Sequence, residues 1–294
     1  MGSRAAARTG RLVRVKTFPP RLHVLFAARS DQALVIRRGP SNHVASIAWD
    51  RRRDRFTLGQ WMKGRIYERR CDLSPDGAHF LYFAMNGHWQ SESRGSWTAI
   101  SRAPYLRAIG FFTKGDCWHG GGMFVPTRKT ETSRYWLNDG YGHHVVRQTS
   151  EVTRDATYRP SLSFGGECPG VYYHRLMRDG WTYLAHDKRE AWKSVDVFEK
   201  TLVHGFRLRK IAHCETGAPP GKGCYWDEHV LIDPSGEERV ERDWEWAELD
   251  GSRLVYATDG KLFAQPIDRK GLGAARVLHD FTPMKFEAVA APYG

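Results

Sequence analysis

Residues 71–87 read CDLSPDGAHFLYFAMNG and residues 247–260 read AELDGSRLVYATDG. Each segment runs through Asp-Gly, two variable residues, two apolar residues, a Tyr, a short apolar stretch, and then Asn-Gly or Asp-Gly. Asp-Gly and Asn-Gly suit tight hairpin turns because both residues tolerate positive φ. The runs between them, Phe80-Leu81-Tyr82-Phe83 and Leu254-Val255-Tyr256, read as buried strands. The repeat therefore specifies strand, turn, strand, twice.

Weaker copies of the same grammar lie along the rest of the chain. Val171-Tyr172-Tyr173 leads to Asp179-Gly180 and then to Trp181–Leu184, and Tyr135-Trp136-Leu137 runs into Asp139-Gly140. Ala33–Ile36 is an apolar run, and His229–Ile232 precedes Asp233-Pro-Ser-Gly236. Strand-like runs thus begin near residues 33, 80, 134, 171, 229 and 254. Most steps are near the ~40–50 residues of a four-stranded propeller blade. One stretch reads two ways. Ala191, Trp192, Val195, Phe198 and Leu202 have helical spacing, but Val195 and Val197 also alternate towards a turn at His204-Gly205, with Phe206, Leu208 and Ile211 returning. β-Branched content and the glycine favour the hairpin.

The segment Ser74–Ala84 resembles the repeat of TolB-like β-propellers, whose blades open with Ser-Pro-Asp-Gly and an apolar strand, and Asp250–Thr258 matches without the Ser-Pro. The resemblance implies an all-β chain forming a β-propeller of five or six blades, each of four antiparallel strands. It implies no activity, because propellers host many functions. The expected organisation is a basic flexible arm over residues 1–20, with a transit segment as the alternative reading, followed by one domain over 21–294.

Aromatic residues make up 13% of the chain, including 11 Trp, which favours strands and leaves stacking sites open. No apolar run reaches the roughly 18 residues a membrane-spanning helix needs. The five cysteines, at 71, 117, 168, 214 and 224, are odd in number and lack Cys-x-x-Cys spacing. That argues against a disulfide framework and fits a reducing cytoplasm. A monomer without cofactor is expected.

The net charge is +12, and its distribution is uneven. Residues 1–70 hold 17 basic and 4 acidic side chains, whereas residues 227–250 hold 10 acids and only Arg239 and Arg242. Such asymmetry suits nucleic-acid contact or internal complementarity. If the first and last segments pair, the field needed for phosphate binding is weakened. Weak, salt-sensitive, sequence-independent nucleic-acid binding is then expected, mainly from the flexible arm at residues 2–16. The basic turn Arg51, Arg52, Arg53 and Arg55, interleaved with Trp49, Phe56 and Trp61, is a candidate contact, although the favoured reading is a charged hairpin tip between two strands whose aromatics lie in the core.

The candidate ligand site is formed by Asp116, Trp118, His119, Asn138, Asp139, Tyr141, His143 and His144, within GDCWHGGGMF and YWLNDGYGHH. These residue types bind ligands, and Gly120–Gly122 would let backbone approach one closely. The competing reading is two glycine-rich loops with tryptophans in the core. His213, Cys214, Cys224 and His229 lack the tight pairing of a zinc site, so no metal is expected. GAPPGKG at 217–223 fails as a phosphate loop, because Gly223 stands where Ser or Thr is required. The leading function is a non-catalytic scaffold binding a protein or small ligand through loops on one face. A hydrolase acting on a glycan or metabolite in a central channel, and a nucleic-acid binder, are the alternatives.

Overall fold

The computed structural model describes residues 18–39, 42–128, 130–140, 142–165, 167–190, 192–217 and 222–293. Most of the basic arm expected over residues 1–20 therefore lies outside the described residues. Strand accounts for 50% of the chain and helix for 6%, so β structure exceeds helix several-fold, as the repeats require.

The strands form five sheets in chain order. Sheet I holds β1 (Arg21–Phe26), β2 (Gln32–Arg38), β3 (His43–Asp50) and β4 (Arg55–Lys63). Sheet II holds β5 (Arg65–Ile66), β6 (Asp72–Leu73), β7 (His79–Met85), β8 (Ser96–Arg102) and β9 (Ala108–Thr113). Sheet III begins with β10 (Gly122–Val125) and β11 (Arg134–Leu137). The chain then returns to sheet II with β12 (His144–Arg147) and to sheet III with β13 (Thr153–Arg154). After the helix α1 (Pro169–Arg178), sheet IV holds β14 (Thr182–Glu190), β15 (Lys193–Thr201), β16 (Arg207–Glu215), β17 (Tyr225–Ile232) and β18 (Glu238–Glu241). Sheet V holds β19 (Trp246–Asp250), β20 (Arg253–Thr258), β21 (Lys261–Asp268), β22 (Gly271–Leu272) and β23 (Arg276–Asp280). Pairing is antiparallel except between β11 and β13. The uniform set of four antiparallel strands expected for every unit is therefore corrected: the sheets have three to six strands.

The apolar runs are continuous because both faces of the inner strands are covered. Alternate side chains of a strand point to opposite faces. On β2, Ala33 and Val35 enter a core shared with sheet V, while Leu34 and Ile36 enter a core shared with sheet II. On β7, Phe80, Tyr82 and Ala84 face sheet I, and Leu81 faces sheet III. On β20, Val255 and Ala257 face sheet I, and Leu254 and Tyr256 face sheet IV. Shared cores therefore join sheets I and II, II and III, IV and V, and V and I, while α1 lies against both β10 of sheet III and β14 of sheet IV.

The Ser74–Gly77 turn forms as its sequence directs. Ser74 Oγ donates to Asp76 Oδ1 at 2.5 Å and accepts from the His79 amide at 2.8 Å, which fixes β6 against β7. Residues 193–215 take the hairpin reading, with β15 paired to β16, and His204 at φ 56° sits in the turn.

Val171-Tyr172-Tyr173 is not a strand. It lies in α1, with Pro169 in the first turn, where a missing N–H costs nothing. Asp179 and Gly180 close the helix rather than a hairpin. Their amides donate to the Arg175 and Met177 carbonyls, and Gly180 has φ 88°. The same dipeptide serves both purposes, and a three-residue apolar run has no period to separate them.

Helix α1 touches all five sheets. Arg175 donates to His23 Nε2 of β1 at 2.7 Å. Arg178 pairs with Asp72 of β6 and donates to the Phe124 carbonyl of β10 at 2.8 Å. Tyr172 Oη donates to Asp227 of β17 at 2.6 Å. Leu176 shares a core with Ala247 and Leu254 of sheet V.

The basic start and acidic end of the chain meet, as expected. Arg21 lies 3.8 Å from Glu245 and Arg51 binds Asp250 at 2.7 Å, while Asp54 and Arg253, paired at 2.8 Å, cross the same joint with the charges reversed. No described helix is long and apolar enough to cross a membrane.

Candidate functional site: an aromatic cleft beside helix α1

The two glycine-rich loops singled out in the sequence are neighbours. Lys114 Nζ donates to the Gly140 and Gly142 carbonyls at 2.5 and 2.6 Å. The Gly120 amide donates to the Asn138 carbonyl at 2.7 Å, and the Asn138 amide to Gly121 at 2.9 Å. Gly140 is required by close approach: a Cβ there would stand 2.5 Å from the His119 ring. Asp116 Oδ1 accepts the Trp118 amide at 3.0 Å, a turn that leaves the Trp118 ring 51% exposed.

Only part of the expected constellation faces a cavity. Trp118 and His119 line a cleft of about 960 Å³. Asn138 is buried beside the loop backbone. Asp139 instead pairs with Arg154 at 2.5 Å and with His143 at 3.4 Å, and the His143 ring stands edge-on to Phe112. His144 is an exposed residue of β12. Tyr141 lies outside the described residues.

The rest of the cleft comes from one face of sheet IV, from α1, and from the segment before it. Ser194, Cys214 and Tyr225 lie directly across from one another on β15, β16 and β17. Asp196, two residues along β15 from Ser194, lies opposite His186 of β14. Period-two alternation puts all of these on one face. Phe164 and Tyr173 close the far wall, with ring centroids 5.1 Å apart. Trp192 completes the mouth: its ring is 61% exposed and 6.4 Å from that of Trp118, at 41°.

Two carboxylates organise the polar groups. Asp196 Oδ1 accepts from Tyr183 Oη at 3.0 Å and from His186 Nδ1 at 2.8 Å. Glu167 accepts from Tyr225 Oη. Burial, reinforced by these acids, pushes the tyrosine hydroxyls up, Tyr183 to about 12 and Tyr173 and Tyr225 further. Burial likewise raises the Cys214 thiol. Burial and then the Lys114 charge lower His119, which favours its neutral form. At neutral pH the cleft therefore presents hydroxyl donors, a neutral imidazole at His119 and a protonated thiol.

Sequence reasoning missed Phe164, Glu167, Tyr173, Tyr183, His186, Trp192, Asp196 and Tyr225. The available signal was the alternation Ser194, Asp196 along β15, which puts polar residues on the inner face of a strand.

A second cavity, of about 510 Å³, lies on the other side of α1. Tyr173 lines the first cavity and Tyr172 the second. Arg51, Arg175, Arg178, Lys200 and Lys210 line the second. Its cations hold partners, including Asp250 for Arg51 and Glu248 for Lys200, both at 2.7 Å. Helix α1 thus contributes side chains to both cavities.

Of the basic turn, Arg51 is consumed by Asp250, and its guanidinium lies 4.5 Å from the Phe26 ring centre. Arg52, Arg53 and Arg55 are exposed, and Arg53 pairs with Asp50 at 2.9 Å. His213 stacks on Trp226, while His229 is buried against Lys210 at 2.9 Å. Among the described residues, no three His, Cys, Asp or Glu side chains cluster to hold a metal. All five cysteines are free.

No family model matches the chain, and no curated protein matches it. Among solved structures, hydrazine synthase of Kuenenia stuttgartiensis aligns over 90% of this chain and 81% of that one. The identity is 11% and the TM-score 0.31, a likeness that carries no argument.

Proposed function

We propose that this chain is a five-bladed β-propeller that binds a small ligand, without catalysis, in the aromatic cleft of one face. The propeller reading is supported by five sheets in chain order, by the packing of the fifth against the first, and by one helix that touches all five and stands between the third and fourth. The binding reading rests on one observation: a cleft of about 960 Å³ lined by exposed tryptophans and converging polar groups. Ligand sites are concave and largely apolar, with a few placed polar groups, and span roughly 300–1,000 Å³. The raised Cys214 thiol and tyrosine hydroxyls suit hydrogen bonding rather than nucleophilic attack.

Fragment screening by ligand-observed NMR tests the reading. Fragments that bind should compete with one another and weaken by at least about fivefold in Trp118→Ala and Trp192→Ala. Binding indifferent to both substitutions would reject it. A hydrolase remains the second reading, because Glu167 and Asp196 line one cleft. It requires turnover of a chromogenic glycoside that disappears in both Glu167→Gln and Asp196→Asn.

A further inference from the structure

The chain carries +12, yet no Lys or Arg lines the aromatic cleft among the described residues, whereas Glu167 and Asp196 do. The cavity across α1 has the opposite character, with five cationic side chains in its wall. Asp196 is 4% exposed, and its Oδ1 is held by Tyr183 and His186. A carboxylate fixed in so poorly solvated a place exerts a stronger field than one in water. Arg70 lies 3.9 Å from Glu167 and offsets part of that charge, whereas Asp196 pairs with His186 at 2.8 Å, which among the described residues makes Asp196 the cleft carboxylate without a permanent cation beside it.

The walls are rich in aromatic rings. Trp118 and Trp192 stand at 41° with centroids 6.4 Å apart, which makes them adjoining sides of a box rather than a stack. Phe164 lies 5.1 Å from Tyr173 and 5.4 Å from Tyr183, at steep angles to both. Aromatic faces carry negative quadrupole potential and attract a cation within about 6 Å of a ring centre, most strongly for Trp. Aromatic walls with a carboxylate at the base suit a weakly hydrated cation and repel anions. The volume far exceeds that of an ammonium group alone, which leaves room at the mouth for an apolar body attached to the charged group.

We propose that the cleft takes an organic cation, an amine or quaternary ammonium borne on an apolar body, with its charge towards Asp196 and its body against Trp118 and Trp192. This deepens the binding reading above and rests on it.

Choline and dimethylbutanol, its uncharged carbon isostere, are the probe pair. Each is titrated into the full chain while the indole N–H resonances of Trp118 and Trp192 are followed. Choline should bind at least about tenfold more tightly than the isostere. Asp196→Asn should remove most of that preference and leave the isostere unchanged. If this variant fails to fold by circular dichroism, Trp192→Leu, at an exposed position, should weaken choline by about fivefold or more. Equal affinities for the two probes would overturn the cation inference and leave the binding cleft standing. Displacement of choline by a neutral oligosaccharide would overturn it in the same way. If neither probe nor the neutral dye Nile red moves the two indoles, the cleft itself is rejected as a ligand site.

Discussion

Asp227 is the residue on which the interior depends most. Its carboxylate meets Arg69 at 3.0 Å, Lys210 at 3.5 Å and Tyr172 Oη at 2.6 Å, all buried. Burial opposes its ionisation, but Arg69 and Lys210 outweigh that and hold it well below the usual carboxylate range. Removing one member of such a set leaves uncompensated charge in a dry place. Asp227→Asn should cost ~3–5 kcal/mol in urea unfolding, whereas Arg53→Ala, at an exposed pair, should cost ~0–1 kcal/mol. Similar losses for the two would mean the interior charges are solvated. Sequence placed both residues in charged segments and gave no means of ranking them, because burial comes from α1 and sheet IV closing over Asp227.

At the scale of elements, α1 decides most. Arg178 pairs with Asp72, whose side chain is 2% exposed, and also reaches the Phe124 carbonyl of sheet III. Arg178→Ala should therefore strand a buried carboxylate and cost ~3–5 kcal/mol. Hydrogen exchange should show the loss first in β6 and β10, the two strands Arg178 ties to the helix. Faster exchange confined to α1 would mean that the helix is decoration rather than a junction. The turn chemistry at Ser74–Gly77 and at 203–206 was legible from local residues. The helix was not, since Pro169 and Gly180 cap it but also suit a loop and a hairpin.

Across the whole molecule, the joint between sheets I and V carries a pH-sensitive group. Glu245 accepts the Leu22 amide at 3.2 Å, and burial raises it to about 7 against the partial opposition of Arg21. A folded value above the unfolded one means the folded protein retains a proton that the unfolded chain releases. Stability from this group is therefore full below about pH 4.5 and is lost as pH rises through about 7. Glu245→Gln should match wild type at pH 4 and exceed it by ~1–3 kcal/mol at pH 8. A constant difference between the variants would contradict the assignment. His23 and His229 act in the other direction, since burial lowers both. Their contribution is present above about pH 6.5 and is lost as pH falls, because the unfolded chain takes up the protons. Burial opposes the ionisation of Glu68, but Arg38, Arg21 and other nearby charges together depress it to about 2, so acid removes its contribution below about pH 4.5 as well. Charge at this scale also bears on nucleic acid. Arg21 and Arg51 are turned towards Glu245 and Asp250, while Arg52, Arg53 and Arg55 remain exposed. We propose weak binding of single strands that disappears by physiological salt and loses slope in Arg52→Ala with Arg55→Ala. Retention of tight binding at physiological salt would overturn this.

Asp-Gly and Asn-Gly turns flanking continuous apolar runs were enough to specify an all-β chain, because turn geometry and strand burial are local or short-period properties. The charge imbalance between the ends was legible for the same reason. The cleft was not: Trp118 and His119 could be named, but Asp196, Tyr183, Trp192 and Glu167 come from segments that only the packing of sheet IV against α1 brings to them. Which face of β15 turns inward depends on the register of the sheet, and a one-residue slip would send Asp196 to the other side. Residue type and spacing along the chain determined the strands. The register of one sheet and the placement of one helix decided which of their side chains share a cavity.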